Sequence, residues 1–208
     1  MRTCLIVSGG QFAPLPQNFS EKVDYVIACD SGFENAQKLA LKIDLLVGDM
    51  DSSKFDFSGE KDFDFIKLPC EKDDTDTLYA IKKAIELKFE KIILCCAFSG
   101  RLDHEFANLQ SLIFAKQHGL QVCAYGNDLE LFVLRDKEEL NLQKRNAFFS
   151  VFSYSKVSKG VSIKGAKYEV ENCKLFSNFP LGISNEWKSD SVKISLKKGL
   201  LFVMVCHD

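Results

Sequence analysis

Short apolar runs punctuate the first half of the chain at residues 3–8, 24–29, 44–47, 63–68, 91–98 and 121–125. They are strand-length, rich in β-branched, aromatic and Leu residues, and bounded by polar clusters. Between them the spacing turns helical at 34–41, 75–88 and 103–117. In the second of these, Leu78, Ile81 and Ile85 recur at i, i+3 and i+7, with Lys82, Lys83 and Glu86 on other faces. Asp74 or Thr75 is placed to cap that helix, and Asp103 to cap the next. Continuous apolar strands alternating with helices predict an α/β domain with a mostly parallel sheet covered by helices.

The pattern changes after Asn127-Asp128. Apolar runs at 129–134, 147–152, 161–163, 167–170, 192–196 and 200–206 follow one another with no helical period between them. Lys197-Lys198-Gly199 joins the last two, and its glycine suits a hairpin. The expected organisation is an α/β domain over 1–127, followed by a small all-β, sandwich-like domain over 128–208.

Composition narrows the classes. Of 208 residues, 46% are hydrophobic and 27% charged, which excludes an intrinsically disordered chain. Lys and Arg number 27 against 29 Asp and Glu, a net charge of -2, so no basic field awaits a nucleic acid. No run approaches the ~18 apolar residues of a membrane span. The opening MRTCLIVSGG is read as a first strand and not a leader, so a cytoplasmic location is expected. Eight cysteines lie at 4, 29, 70, 95, 96, 123, 173 and 206, mostly inside apolar runs and with no C-x-x-C pair. They are expected to be buried, reduced thiols rather than disulfides or zinc ligands.

The chemistry falls at the carboxyl ends of the expected parallel strands, where open α/β sheets bind ligands. Four segments lie there: Asp30-Ser31-Gly32, Gly48-Asp49-Met50-Asp51-Ser52, Lys72-Asp73-Asp74-Thr75-Asp76 and Gly100-Arg101-Leu102-Asp103-His104. A single acidic loop is ordinary, since Asp bonds its own backbone in turns. Four on one sheet edge repel one another unless a cation neutralises them. Oxygen ligands without a His or Cys cluster point to Mg²⁺, held by carboxylates and substrate phosphates. Asp49 and Asp51, one residue apart, project to the same side of an extended backbone. Arg101, at a helix start, suits phosphate oxygens; its other reading is a salt bridge to Asp103. His104 is given no chemical role.

These four segments, in this order and spacing, resemble the motif set of the thiamine pyrophosphokinases (thiamine diphosphokinases). Ser184-Asn185-Glu186 resembles that family's late Ser-Asn motif, so the resemblance spans essentially the whole chain. It implies an ATP- and Mg²⁺-binding α/β domain, a C-terminal β-sandwich, and a homodimer with thiamine in a cleft between subunits. The implied reaction moves the β,γ-diphosphate of ATP to the thiamine hydroxyl and releases AMP. By motif, Asp49, Asp51, Asp76 and Asp30 would hold Mg²⁺. Asp30, Ser31, Gly32, Asp49, Ser52, Thr75 and Arg101 would meet ATP. Asp73, Arg101 and Asp103 would be catalytic, with Asp73 or Asp103 accepting the hydroxyl proton. Ser184, Asn185 and Trp187 would meet thiamine, with Phe176 and Phe179 as other stacking candidates. A lone Trp in an all-β domain is, however, usually core. The family's usual Asp-Gly-Gly is Asp30-Ser31-Gly32 here.

Two other classes share parts of this pattern. Another Mg²⁺-dependent diphosphokinase or a phosphohydrolase would keep the acidic loops with a different late β segment. A non-catalytic nucleotide sensor would bind ATP without turnover.

Overall fold

Each apolar run of the first half becomes a strand: β1 (Thr3–Val7), β2 (Tyr25–Cys29), β3 (Leu45–Gly48), β4 (Asp64–Lys67), β5 (Lys91–Cys95) and β6 (Gln121–Tyr125). The structure is a computed structural model that describes residues 1–17, 19–49, 62–69, 73–98 and 100–207. It comprises two units, Met1–Asn127 and Asp128–Asp208. In the first, the six strands run parallel in the order β4-β3-β2-β1-β5-β6. β1 and β3 are buried at every position, and β2, β5 and β6 at all but their first. That burial is why these segments read as unbroken apolar runs instead of alternating ones. Carboxylates fasten the amino edge of the sheet. Asp24 accepts from Thr3 N at 2.9 Å, and Asp44 from Val26 N at 2.8 Å.

Three helices accompany these strands, α1 (Gly32–Lys38), α2 (Asp76–Glu86) and α3 (Leu102–Gln117). Thr75 caps α2, its hydroxyl accepting from Leu78 N at 3.1 Å. Asp74 instead grips Lys82, with both carboxylate oxygens 2.7 Å from Nζ. The buried face of α2 is Thr77, Ala80, Ile81 and Ala84; Leu78 and Ile85 flank it half-exposed, so the face is centred to one side of the expected stripe. Asp103 does not cap α3. The cap position is Arg101, without a side-chain capping bond, and Asp103 lies inside the first turn. Glu105 reaches back from that turn to accept from Gly100 N at 2.6 Å, which closes the helix start from within.

The second unit is all β. β7 (Leu129–Arg135), β13 (Leu200–Cys206) and β9 (Phe148–Ser153) pair antiparallel, with β13 central. A four-stranded antiparallel sheet runs β11 (Val170–Phe176), β10 (Val157–Lys164), β12 (Ser191–Ser195), β8 (Glu139–Gln143). Their inner faces share one core: Leu134, Phe149, Val151, Leu201 and Val203 meet Leu142, Val161, Ile163, Val192 and Ile194. Burying a ring such as Phe149 contributes roughly 1.5–3 kcal/mol.

Two expectations are corrected here, and one strand is new. β12 and β13 do not form a hairpin, because Lys197-Lys198-Gly199 carries the chain from one sheet to the other. Gly199, at φ +126°, makes that crossing with its Cα side against Ser158, where a Cβ would come within 2.6 Å of the hydroxyl. The strand expected at 167–170 begins only at Val170. β8 was not anticipated, since it buries only Leu142 fully. Among the described residues, no helix is long and apolar enough to cross a membrane.

Candidate active site

The chain lays its strands outward from β1 in one direction through β2, β3 and β4, then returns to place β5 on the other side of β1. The order therefore reverses between β1 and β5, and a crevice opens there at the carboxyl ends. A cavity of about 620 Å³ occupies this place. Ser8, Gly9 and Gly10 line it after β1, Asp30 and Ser31 after β2, Asp49 after β3, and Thr75 to Thr77 at the start of α2. Phe98 and Gly100 line it after β5, with Arg101, Asp103, His104, Glu105 and Asn108 from the start of α3.

Close backbone packing shapes the rim. A Cβ on Gly32 would lie 2.2 Å from Val7 O, and one on Gly9 would lie 2.3 Å from Ser31 Oγ. Ser31 Oγ donates to Gly9 O at 3.2 Å. Buried Asn35 donates to Ser8 O at 3.1 Å and Gly10 O at 2.9 Å, holding the first loop from below. Asn108 does the same for the loop after β5, donating to Ala97 O at 2.8 Å. Ser8 and Thr77 share a hydroxyl–hydroxyl bond of 3.1 Å. The sequence reasoning passed over Gly9-Gly10; the available signal was a glycine pair directly after the first strand, where backbone can approach a phosphate.

Asp30 sits in a left-handed conformation, φ 47°, at the end of β2. Gly48 permits this position, because a Cβ there would lie 3.0 Å from Asp30 Cα. Asp30 Oδ1 is buried and has no hydrogen-bond partner among the described residues. A buried carboxylate oxygen without a donor is costly unless a cation completes it. Asp49 and Asp76 line the same cavity. Among the described residues, no three His, Cys, Asp or Glu side chains gather closely enough to form a metal cage. Mg²⁺ does not require one, since it keeps several waters and takes one or two carboxylates plus phosphates. The donor set around Asp30 therefore fits that ion. Asp51 and Ser52 lie outside the described residues.

Arg101 and Asp103 meet each other. Arg101 Nε donates to Asp103 Oδ1 at 3.2 Å and Nη2 to Oδ2 at 2.7 Å. The hydrogen bond from Arg101 holds the Asp103 carboxyl below its ordinary range, and Asp103 reciprocally raises Arg101. Asp73 is exposed and is not among the residues lining the cavity.

The late motif belongs to the second unit. Asn185 is 5% exposed, and its amide is committed to backbone. Oδ1 accepts from Tyr168 N at 3.0 Å and from Glu186 N at 2.9 Å, while Nδ2 donates to Tyr168 O at 2.8 Å. Its own backbone pairs in both directions with Phe149, at 2.9 and 2.7 Å. Ser184, at φ 53°, donates its N–H to Ser150 Oγ at 3.1 Å. Trp187 is a core residue: it is 8% exposed, packs edge-on against Phe149, and donates Nε1–H to Leu142 O at 3.3 Å. Phe176 and Phe179 are exposed, as is Tyr168 at 59%. Lys167 Nζ stands 5.5 Å from the centre of the Tyr168 ring. Tyr168 was not singled out from sequence, because its partnership with Asn185 spans 17 residues.

Two family models match this chain, one over each unit. The family model for the thiamin pyrophosphokinase catalytic domain matches residues 16–124, and that for the thiamin pyrophosphokinase vitamin B1 binding domain matches 137–201. Fold and motif together define a two-domain kinase of the α/β-plus-β class, and the chain belongs to the thiamin pyrophosphokinase family. It is 26% identical over 198 residues to Thiamin pyrophosphokinase 1 of Caenorhabditis elegans, covering 89% of this chain and 81% of that protein. The crystal structure of thiamine pyrophosphokinase from Bacillus subtilis matches with a TM-score of 0.85 at 22% identity, covering 100% of both chains. That of thiamin pyrophosphokinase from Geobacillus thermodenitrificans matches with a TM-score of 0.81 at 26% identity, covering 99% of this chain and 98% of that one.

Proposed function

We propose that this chain transfers the diphosphate of ATP to the hydroxyl of thiamine, giving thiamine diphosphate and AMP. The observation that carries the reading is the buried Asp30 Oδ1 in the switch-point cavity, without a hydrogen-bond partner among the described residues. Diphosphoryl transfer asks a protein chiefly for positioning and for charge neutralisation. Ser8, Gly9 and Gly10, with Asp30 to Gly32, Thr75 and the start of α3, are placed to receive the polyphosphate. Asp30, Asp49 and Asp76, joined by Asp51, would hold Mg²⁺, which supplies charge stabilisation on phosphate oxygens. Arg101 supplies a guanidinium for the phosphates. Asp103, lining the cavity, is better placed than Asp73 to accept the hydroxyl proton.

Thiamine falls to the second unit. Asn185 acts there through Tyr168, holding both backbone polar groups of a residue whose ring is open to a cationic heterocycle. Ser184, φ-strained beside it, completes the edge. The exposed Phe179, Leu181 and Ile183, each about 60% accessible, form an apolar surface suited to a second subunit. A homodimer with thiamine between subunits is the assembly this implies. The seven described cysteines are free thiols, which suits a reducing compartment such as the cytoplasm. Neither a nucleic acid nor a membrane enters this reading.

The test is the nucleotide product in the presence of ATP, Mg²⁺ and thiamine. AMP supports the reading; ADP or phosphate would point to another kinase or a phosphohydrolase, and no turnover to a sensor.

A further inference from the structure

Arg101 already holds an anion, and that anion is its neighbour. The two bonds to Asp103, at 3.2 and 2.7 Å, are the forked arrangement by which a guanidinium recognises a carboxylate or a phosphate. Both side chains line the cavity, yet they remain 74% and 64% exposed. The pair spans two residues of one chain segment and ties no other element to α3. Asp103 Oδ1 also accepts from His104 N at 3.0 Å, so its carboxylate is parked across the first turn of the helix. Such an exposed pair contributes little to holding a fold. Its position in the cavity gives it a different consequence.

We propose that Asp103 is a placeholder for phosphate: an incoming polyphosphate takes Arg101 only by displacing Asp103. The proposal rests on the ATP reading of this cavity. The exchange swaps one anionic partner of Arg101 for another, and no covalent bond changes. It has two effects. The pair sets a threshold against anions too weakly charged to compete with a tethered carboxylate. It also releases Asp103 at the cavity wall only after the nucleotide is seated, which makes the proton acceptor available in the ATP-bound state and masks it beforehand. Asp103 is thus a positioning residue for Arg101 before it is a candidate base.

Binding of inorganic tripolyphosphate to the full chain, followed by calorimetry without thiamine, tests this apart from catalysis. Four proteins are compared: the unaltered chain, Arg101→Ala, Asp103→Asn, and the double variant. Both residues are exposed, so the core is untouched, and a thermal melt checks each fold. Arg101→Ala is expected to weaken binding about tenfold or more, the loss of a charged forked contact. Asp103→Asn is expected to tighten it about two- to fivefold, the equivalent of one exposed ion pair no longer in competition. In the Arg101→Ala background, Asp103→Asn should leave affinity unchanged. Equal or weaker binding by Asp103→Asn alone overturns the placeholder while leaving the phosphate site standing. A gain that persists without Arg101 also overturns it, since general charge would then be the cause. Unchanged affinity in Arg101→Ala overturns both the exchange and the assignment of Arg101 to phosphate.

Discussion

The side chain of Asn185 holds the backbone of Tyr168 at both polar groups, accepting from its N–H at 3.0 Å and donating to its carbonyl at 2.8 Å. The motif asparagine is thus buried scaffold, and the exposed ring 17 residues earlier is what it presents. Asn185→Ala strips partners from the Tyr168 backbone and from Glu186 N. Such losses cost about 1–3 kcal/mol each when the group stays dry. Urea denaturation should show a stability loss of at least the cost of one such bond, and KM for thiamine should rise while KM for ATP stays within twofold. Equal weakening of both substrates would refute the assignment.

Tyr168→Ala isolates the ring from its support. A cation–π contact is worth about 0.5–2 kcal/mol, or roughly 2- to 30-fold in binding. The expected outcome is that rise in KM for thiamine with an unchanged melting temperature, and near-normal behaviour in Tyr168→Phe. Unaltered thiamine KM in Tyr168→Ala would exclude the ring from the site.

Asp30→Asn replaces a half-buried carboxylate, whose buried Oδ1 has no donor among the described residues, with a neutral amide. Removing a ligand charge should cost several kcal/mol of transition-state stabilisation. Turnover should fall at least 100-fold, and the rise in melting temperature given by Mg²⁺ with ATP should shrink. The chain without ligands should be no less stable, because an uncompensated charge has been removed. Asp49→Asn is expected to abolish turnover likewise. Near-normal kcat at saturating Mg²⁺ in either variant would contradict the metal assignment.

Much of this was legible in the sequence because burial leaves a direct trace. Strands covered on both faces, such as β1 and β3, appear as unbroken apolar runs, and the acidic loops follow from their ends. Where burial is partial the trace fades. β8 alternates around Leu142 with Glu139, Asn141 and Gln143, and it has little to distinguish it from loop. The expected hairpin at Lys197 to Gly199 failed because local turn chemistry carries no information about which sheet receives the next strand. That Trp187 is buried and Tyr168 exposed was hard to read for the same reason. Whether a ring faces the core or solvent depends on partners such as Phe149 and Asn185, distant in sequence.

Gly32→Ala probes the phosphate rim without touching a charge. The new Cβ would lie 2.2 Å from Val7 O, backbone that cannot yield cheaply. Overpacking of this kind costs about 1–3 kcal/mol. The denaturation midpoint should fall accordingly and KM for ATP should rise; unchanged values in both would mean that β1 and α1 do not pack as described.

The thiols at the end of β5 make a pH prediction. A hydrogen bond from Cys95 draws Cys96 down to about 7, helped by Ala13 N, while that same bond, followed by burial, pushes Cys95 up. Thiolate absorbance at 240 nm should therefore show its first step near pH 7, absent in Cys96→Ala. A first step only above pH 8.5 would contradict this pairing.

The central claim is that a diphosphate moves intact from ATP to thiamine. ³¹P NMR of the protein with ATP, Mg²⁺ and thiamine reads this directly. The account predicts AMP and thiamine diphosphate growing in a one-to-one ratio as ATP declines, with no ADP and no free phosphate. ADP alongside thiamine monophosphate, or phosphate release independent of thiamine, would contradict it.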